Sequence, residues 1–305
     1  IPRPTPQPRQ GRDLRPGLTP LDKVSLGFHA AVLATLGSLS LLHGLPLSPF
    51  LLNVGAIVAI LLIAALAART QHPAAAFLHD FHPLFFFLPI YEQVGVLNRI
   101  AVTREWDDVL RALDAGLFGT QPALAFSRVL PWEWLSEYMH FAYFTFYGLF
   151  PILGLTLAGK VHRAQRTRRL EPYLLALGIA FHTCNFLFLF LPARGPDLLP
   201  GADFHRGGYV FTPLMRFIYR FEIPGAFFPS SHVALTAVVL WYARHLGPRQ
   251  WVFHVLGISL ILSTVYCGYH YAVDALGGLV VAAAAIFAAE KWLRGTDLDR
   301  SEYFR

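Results

Sequence analysis

The chain is short of charge: only 14% of its 305 residues are Asp, Glu, Lys or Arg, against about a quarter in a soluble globular domain. That shortage argues against an ordinary water-soluble fold. Cysteine is scarce as well. Cys184 lies within one apolar block and Cys267 near the end of another, so both read as buried small side chains. No internal repeat is visible, which removes the main sequence signature of an inverted-repeat transporter. No cleavable signal peptide is expected. Residues 1–20 are rich in Pro and Arg, and 1–23 are predicted to be a disordered tail.

Apolar residues take the place of charge, and they come in blocks rather than stripes. They make up 55% of the chain, 26 of them phenylalanine, with a mean hydropathy of +0.46. Leu26–Leu45 and Phe50–Ala68 contain no Asp, Glu, Lys or Arg, and each approaches the roughly 20 residues that cross a bilayer. The fold class is therefore an all-α polytopic membrane protein with six to eight transmembrane helices. Candidate segments are 24–45, 50–68, 76–97, 136–158, 172–192, 230–246, 250–268 and 270–292. The third holds Asp80, His82, Pro83, Pro89 and Glu92, so a re-entrant or interfacial segment is its alternative. This divides the chain into N-terminal helices over 24–97, an interfacial amphipathic segment over 98–135, a core over 136–292 and a tail over 293–305.

The net charge of +6 sits in short loops between apolar blocks, so it points to membrane orientation and not to nucleic acid. The densest basic cluster, Lys160 to Arg169, is expected to be cytoplasmic by the positive-inside rule. The N-terminal tail, Arg69, the Arg244–Arg249 turn and the end at Lys291 and Arg294 share that side if 76–97 spans. The same parity places the 193–229 loop, the start of the helix carrying His232 and the turn before His270 on the opposite, extracytoplasmic face.

Two short motifs meet there: Pro229-Ser230-Ser231-His232, and Tyr266 to Asp274 with His270 and Asp274 four residues apart. That spacing puts the pair on one face of a helix. Phosphoryl transfer needs a nucleophile, an acid for the leaving oxygen and donors around the phosphate. His270 fits the nucleophile, Asp274 the acceptor of its other ring N–H, and His232 the acid. Ser230 and Ser231 begin a helix and so form an anion site; simple capping is their alternative. Arg194, in Leu191-Pro192-Ala193-Arg194-Gly195-Pro196, offers a planar fork for phosphate oxygens.

These residues resemble the type 2 phosphatidic acid phosphatase superfamily, whose motifs run K-x6-R-P, P-S-G-H and S-R-x5-H-x3-D. Here Ser231 replaces the second-motif glycine, Thr264 the third-motif arginine, and Leu187 stands where the first-motif lysine would. The resemblance implies a phosphatidic acid phosphatase-type helical core, with His270 as nucleophile, Asp274 orienting it and His232 as general acid, and no metal or cofactor. Loss of two cations with the His-His-Asp set kept is similar to the inositol phosphorylceramide synthase and sphingomyelin synthase branch. Trp106-Asp107-Asp108-Val109-Leu110 with Leu113-Asp114-Ala115-Gly116-Leu117-Phe118-Gly119 is similar to that branch's segment ahead of the core. The resemblance is specific over 172–290 and looser over 98–158.

Arg206, Arg216 and Arg220 are candidate replacement cations for head-group contact, with interfacial anchoring as the alternative. His140 is a further candidate contact on the same face. His29, His43, His182 and His254 read as core or interfacial residues, and Asp80 and Glu92 as structural pairs. A zinc site from His232, His270 and Asp274 is a rival by ligand type, but no further ligand pattern supports it.

The resulting expectation is a lipid phosphotransferase that moves a phospho-head group, inositol-phosphate or similar, onto a lipid hydroxyl. A lipid phosphate or isoprenoid diphosphate phosphatase is the alternative. Membrane lipids are the expected partners, without nucleic acid, cofactor or obligate protein partner.

Overall fold

The computed structural model describes residues 17–295 except 71, 103, 160–162, 197–198, 200–203, 205–206 and 222–224. Every described element is helical. In order they are α1 (Pro20–His43), α2 (Ser48–Thr70), α3 (Pro73–Ala101), α4 (Asp107–Phe118), α5 (Pro122–Val129), α6 (Glu133–Phe144), α7 (Phe146–Ala158), α8 (Arg163–Phe188), α9 (Phe211–Tyr219), α10 (Ser231–Ala243), α11 (Gln250–Tyr266) and α12 (Ala272–Gly295).

Among the described residues, three helices are long and apolar enough to cross a membrane: Pro20–Leu41, Ser48–Thr70 and Ala272–Gly295. The bent pair α6–α7 makes a fourth if it is counted as one span. The protein is thus an integral membrane protein with three to four clear candidate spans, fewer than the six to eight expected. The shortfall has local causes. Helix α3 carries Asp80, Glu92 and Arg99, α8 opens in a basic stretch, and α10 and α11 are 13 and 17 residues long.

Several predicted boundaries move. The Thr19–Asp22 capping box starts α1 at Pro20, so residues 20–23 belong to the helix and not to the tail. Helix α3 runs unbroken through Pro83 and Pro89 and does not turn back as a re-entrant loop would. The predicted 136–158 segment breaks at Thr145 and bends by 46°. There the Thr145 hydroxyl donates to the Ala142 carbonyl at 2.6 Å, and Pro151 supplies no N–H to the turn before it. The basic stretch read as a loop is helical from Arg163, and the 193–229 loop contains α9.

Helices α8, α10 and α12 pack together at the centre. Small residues make this possible: Ala282, Ala285 and Ala289 of α12 are buried, and in a bilayer such residues let helices approach closely. Gly278 is the tightest point. A Cβ there would lie 2.5 Å from the Ser230 carbonyl oxygen and 2.9 Å from Val233 Cβ. Gly278→Ala is therefore expected to destabilise by about 1–3 kcal/mol, seen as a lower Tm in detergent, with a larger loss of whatever chemistry Ser230 and His232 support. An unchanged Tm would show that the two helices separate without cost.

On one flank α1 and α3 pack against α8; on the other α6, α7 and α11 close around α10 and α12. Helices α4 and α5 are short and amphipathic. Leu113, Leu117 and Phe118 of α4 are exposed while Leu110 is buried, as suits helices lying at an apolar–polar boundary.

Candidate active site

The start of α10 and the turn before α12 are tied together by backbone. The Phe228–Pro229 peptide is cis, and Ser230 N–H donates to the Asp274 carbonyl at 3.0 Å. Ser230 is the N-cap, its fully buried hydroxyl accepting Val233 N–H at 3.3 Å. Ser231 is the first residue of the helix and is also buried. His232 follows it and is half-buried, with Phe146 against its ring at 4.1 Å.

His270 reaches the same place from α11. Gly268 takes φ +71°, a left-handed turn that side chains disfavour. A Cβ at this glycine would collide with Phe204 at 2.2 Å. After this turn His270 N–H donates to the Thr264 carbonyl at 2.9 Å. The His270 ring is buried, 5.9 Å between centroids from His232 and 5.6 Å from Phe227. Its Nδ1 lies 3.4 Å from Asp274 Oδ2, which also accepts Tyr271 N–H at 2.9 Å. The helix begins only at Ala272, so His270 sits in the turn ahead of it. Asp274 lies in the first helical turn and faces back toward it.

The remaining predicted residues separate. Arg194 stands beside the site on its loop, half-exposed, with its Nε 3.8 Å from Glu105. Arg216 on α9 and Arg220 just past its end are exposed, and the helix's buried Met215 packs with Tyr143, Tyr266 and Tyr269. Arg206 lies outside the described residues. His140 is fully buried, donating from Nδ1 to the Ser136 carbonyl at 2.7 Å with its ring against Tyr269, so it packs behind the site instead of facing out as a surface contact. Thr264 is buried, and its hydroxyl donates to Ile261 O at 2.7 Å. A neutral hydroxyl, and not a cation, occupies that position in the chain. Among the described residues, no three His, Cys, Asp or Glu side chains converge to hold a metal.

Three contributors escaped sequence reasoning. Tyr143 of α6 places its hydroxyl 3.1 Å from His232 Nε2, the rings 4.8 Å apart; in the run Phe141-Ala142-Tyr143-Phe144 it looks like packing. The other two are Asp107 and Asp114 of α4, both buried. Asp107 accepts Arg194 N–H at 2.9 Å, Gly195 N–H at 2.9 Å and the Tyr271 hydroxyl at 3.1 Å. Asp114 accepts Ala272 N–H at 3.1 Å and Val273 N–H at 2.9 Å, satisfying donors that a helix start leaves open. Burial raises the Asp114 pKa, and the two backbone N–H groups oppose that rise. One surface helix thus grips both the Arg194 loop and the helix that carries Asp274. The signal was the spacing of two acids seven residues apart on one face of an amphipathic helix.

The profile of the PAP2 superfamily matches residues 109–288, more than half of the chain. The chain belongs to the PAP2 superfamily. The match takes in Asp114, Arg194, His232, His270 and Asp274, and it leaves α1–α3 and Asp107 outside. As a PAP2 protein it is a phosphatase or phosphotransferase of the type 2 phosphatidic acid phosphatase superfamily. No curated protein and no solved structure matches the chain.

Proposed function

We propose that this PAP2 protein is a lipid phosphotransferase that moves a phospho-head group, inositol-phosphate or similar, from a phospholipid to a lipid hydroxyl. His270 is the nucleophile. Its Nε2 attacks phosphorus while Asp274 holds the Nδ1 proton, and the 3.4 Å contact is of the kind that tightens when substrate fixes the ring. The bond to the leaving oxygen breaks, and His232 supplies the proton that oxygen takes up. The acceptor hydroxyl then gives its proton to His232 and attacks phosphorus, releasing His270. Arg194, Ser231 and the first N–H groups of α10 hold the phosphate oxygens.

The observation that carries transfer over hydrolysis is the setting of the nucleophile. His270 is 3% exposed and bordered by Phe227 and the Tyr143–Phe146 wall of His232, which disfavours water as acceptor. The buried Thr264 in place of a third-motif arginine supports the same choice, since a free phosphate dianion asks for more positive charge than a diester.

In this reading α3, α8, α10 and α11 cross the membrane beside the three to four clear spans, giving seven or eight crossings, within the expected six to eight. His232 opens α10, while Arg244 and Arg249 follow its other end, and Lys291 and Arg294 lie at the far end of α12 from Asp274. The positive-inside rule then puts the site on the extracytoplasmic face.

The test is product analysis. Purified protein is incubated with labelled phospholipids, with and without ceramide or diacylglycerol, and a new phospho-lipid is expected that depends on the added acceptor. Inorganic phosphate as the sole labelled product would make the protein a lipid phosphate phosphatase and end the transfer reading.

A further inference from the structure

A second polar cluster lies among α1, α2, α3 and α8, mostly outside the residues matched by the family. Asp22, His29, His79, His82 and His182 are each no more than 5% exposed. Asp22 sits in the first turn of a candidate membrane span, where an ionisable group is costly and calls for a function.

The hydrogen bonds define which atoms carry protons. His79 Nε2 donates to Asp22 Oδ2 at 2.8 Å, and His82 Nδ1 donates to the His79 carbonyl at 2.8 Å. His29 Nδ1 donates to Asn53 Oδ1 at 2.8 Å, because Asn53 Nδ2 is already given to Pro49 O. His182 Nε2 meets the Ser25 hydroxyl at 3.2 Å. Each ring therefore has one nitrogen engaged. The other nitrogens, His79 Nδ1, His82 Nε2, His29 Nε2 and His182 Nδ1, are buried without a hydrogen-bond partner, as is Asp22 Oδ1. For the first three rings the idle nitrogen of the neutral form is a lone pair.

The cluster is thus rich in acceptors and poor in donors, with a carboxylate beside it. The rings adjoin one another: His79 and His82 have centroids 6.2 Å apart, His29 and His182 6.4 Å, and Phe86 lies about equally far from His82 and His29 at 6.4 and 6.3 Å. Buried acceptors left empty cost about 1–3 kcal/mol each. Asp22 Oδ2 is satisfied by Thr19 N–H, the Thr19 hydroxyl and His79, whereas Oδ1, among the described residues, has only His82 Nδ1 near it at 3.7 Å. A buried carboxylate without a full counter-charge costs more. Both costs are met by a species that brings hydrogen and positive charge. No three of these groups converge as metal ligands.

We propose that this cluster is an intramembrane proton-binding site, in which one excess proton and ordered water occupy the open lone pairs and neutralise Asp22. The other ionisable groups facing it are Asp80 of α3, which acts on His82, and Glu171 of α8, which Asp80 faces in turn. The site does not depend on the catalytic reading, since none of its residues touches His232 or His270.

The test is nitrogen NMR of the full chain with labelled histidine, in lipid nanodiscs at pH 7.5, with rings assigned by single His→Gln changes. One imidazolium among these rings, with magnetisation transfer from water, is expected in the wild type. It is expected to vanish in Asp22→Asn. Four neutral rings in the wild type would overturn the proposal, and so would an imidazolium that persists in Asp22→Asn. The wild-type spectrum decides by itself if that variant does not fold. Lipid turnover is no part of the readout, so a failure here is separate from a failure of the proposed reaction.

Discussion

His270→Ala is expected to lower turnover by at least ~10³-fold while leaving the protein folded in detergent, because in the proposed reaction loss of the covalent nucleophile removes the reaction path and not just one favourable contact. The substitution is mild for the fold. His270 is held mainly through its backbone N–H to Thr264 O, which alanine keeps, and the ring's loss leaves Asp274 bonded to Tyr271 N–H. Circular dichroism and gel filtration check that the fold is intact. Rapid quench with a phosphorus-labelled donor should trap label on the wild-type chain and none on the variant. Wild-type-like turnover in His270→Ala would remove this residue from the chemistry.

The second large effect is expected at α4. Asp114→Asn should reduce kcat by ~10²-fold with little change in KM. Its carboxylate accepts two backbone N–H groups, one on each oxygen. An amide offers one oxygen and turns an NH₂ donor toward the other N–H, so one bond is replaced by a repulsive donor pair. The N-terminus of α12 then loses its anchor. Asp274 is two residues from the anchor point and His270 two residues before it, and misplacement of reacting groups by an ångström is enough for such a loss.

Asp107→Asn acts on the other grip. It loosens Arg194 and Gly195 and is expected to raise KM for the phospholipid donor. Hydrogen exchange separates positioning from general unfolding: faster exchange confined to peptides over 194–195 in one variant and 272–273 in the other is expected. Uniformly faster exchange across α8, α10 and α12 would instead make these acids global stabilisers.

Much of the candidate site was legible because its motif residues are local in the chain. His270 and Asp274 are four residues apart, and Ser230 to His232 are contiguous, so residue type and spacing brought out both motifs. Membrane character was equally plain from charge-free blocks. The break at Thr145 was not, since a threonine in an apolar run reads as helix until its hydroxyl is seen bonded to its own backbone. Nor were Asp107 and Asp114 readable as working residues. Acids on an amphipathic helix normally face water, and only the contacts with a loop and a helix start some 80 to 160 residues away in sequence show them turned inward.

The histidines of the N-terminal helices teach the same lesson. His29 and His182 read as satisfied core residues, and each does make one hydrogen bond. What could not be read is that they lie near His79, His82 and Asp22, each with a buried polar atom lacking a hydrogen bond, because the four helices involved are brought together only by packing.

The amino-acid order by itself determined that this is a helical membrane protein and brought out the His-His-Asp motif residues, since low charge, apolar block length and short-range spacing are properties of adjacent residues. Tertiary structure alone decided which polar groups surround those residues. It showed Tyr143 at His232, Thr264 turned away into its own helix, and α4 clamping the Arg194 loop and the start of α12. The physical reason is that a buried polar atom takes its partner from whatever packing brings near it, and packing joins residues that sequence separates.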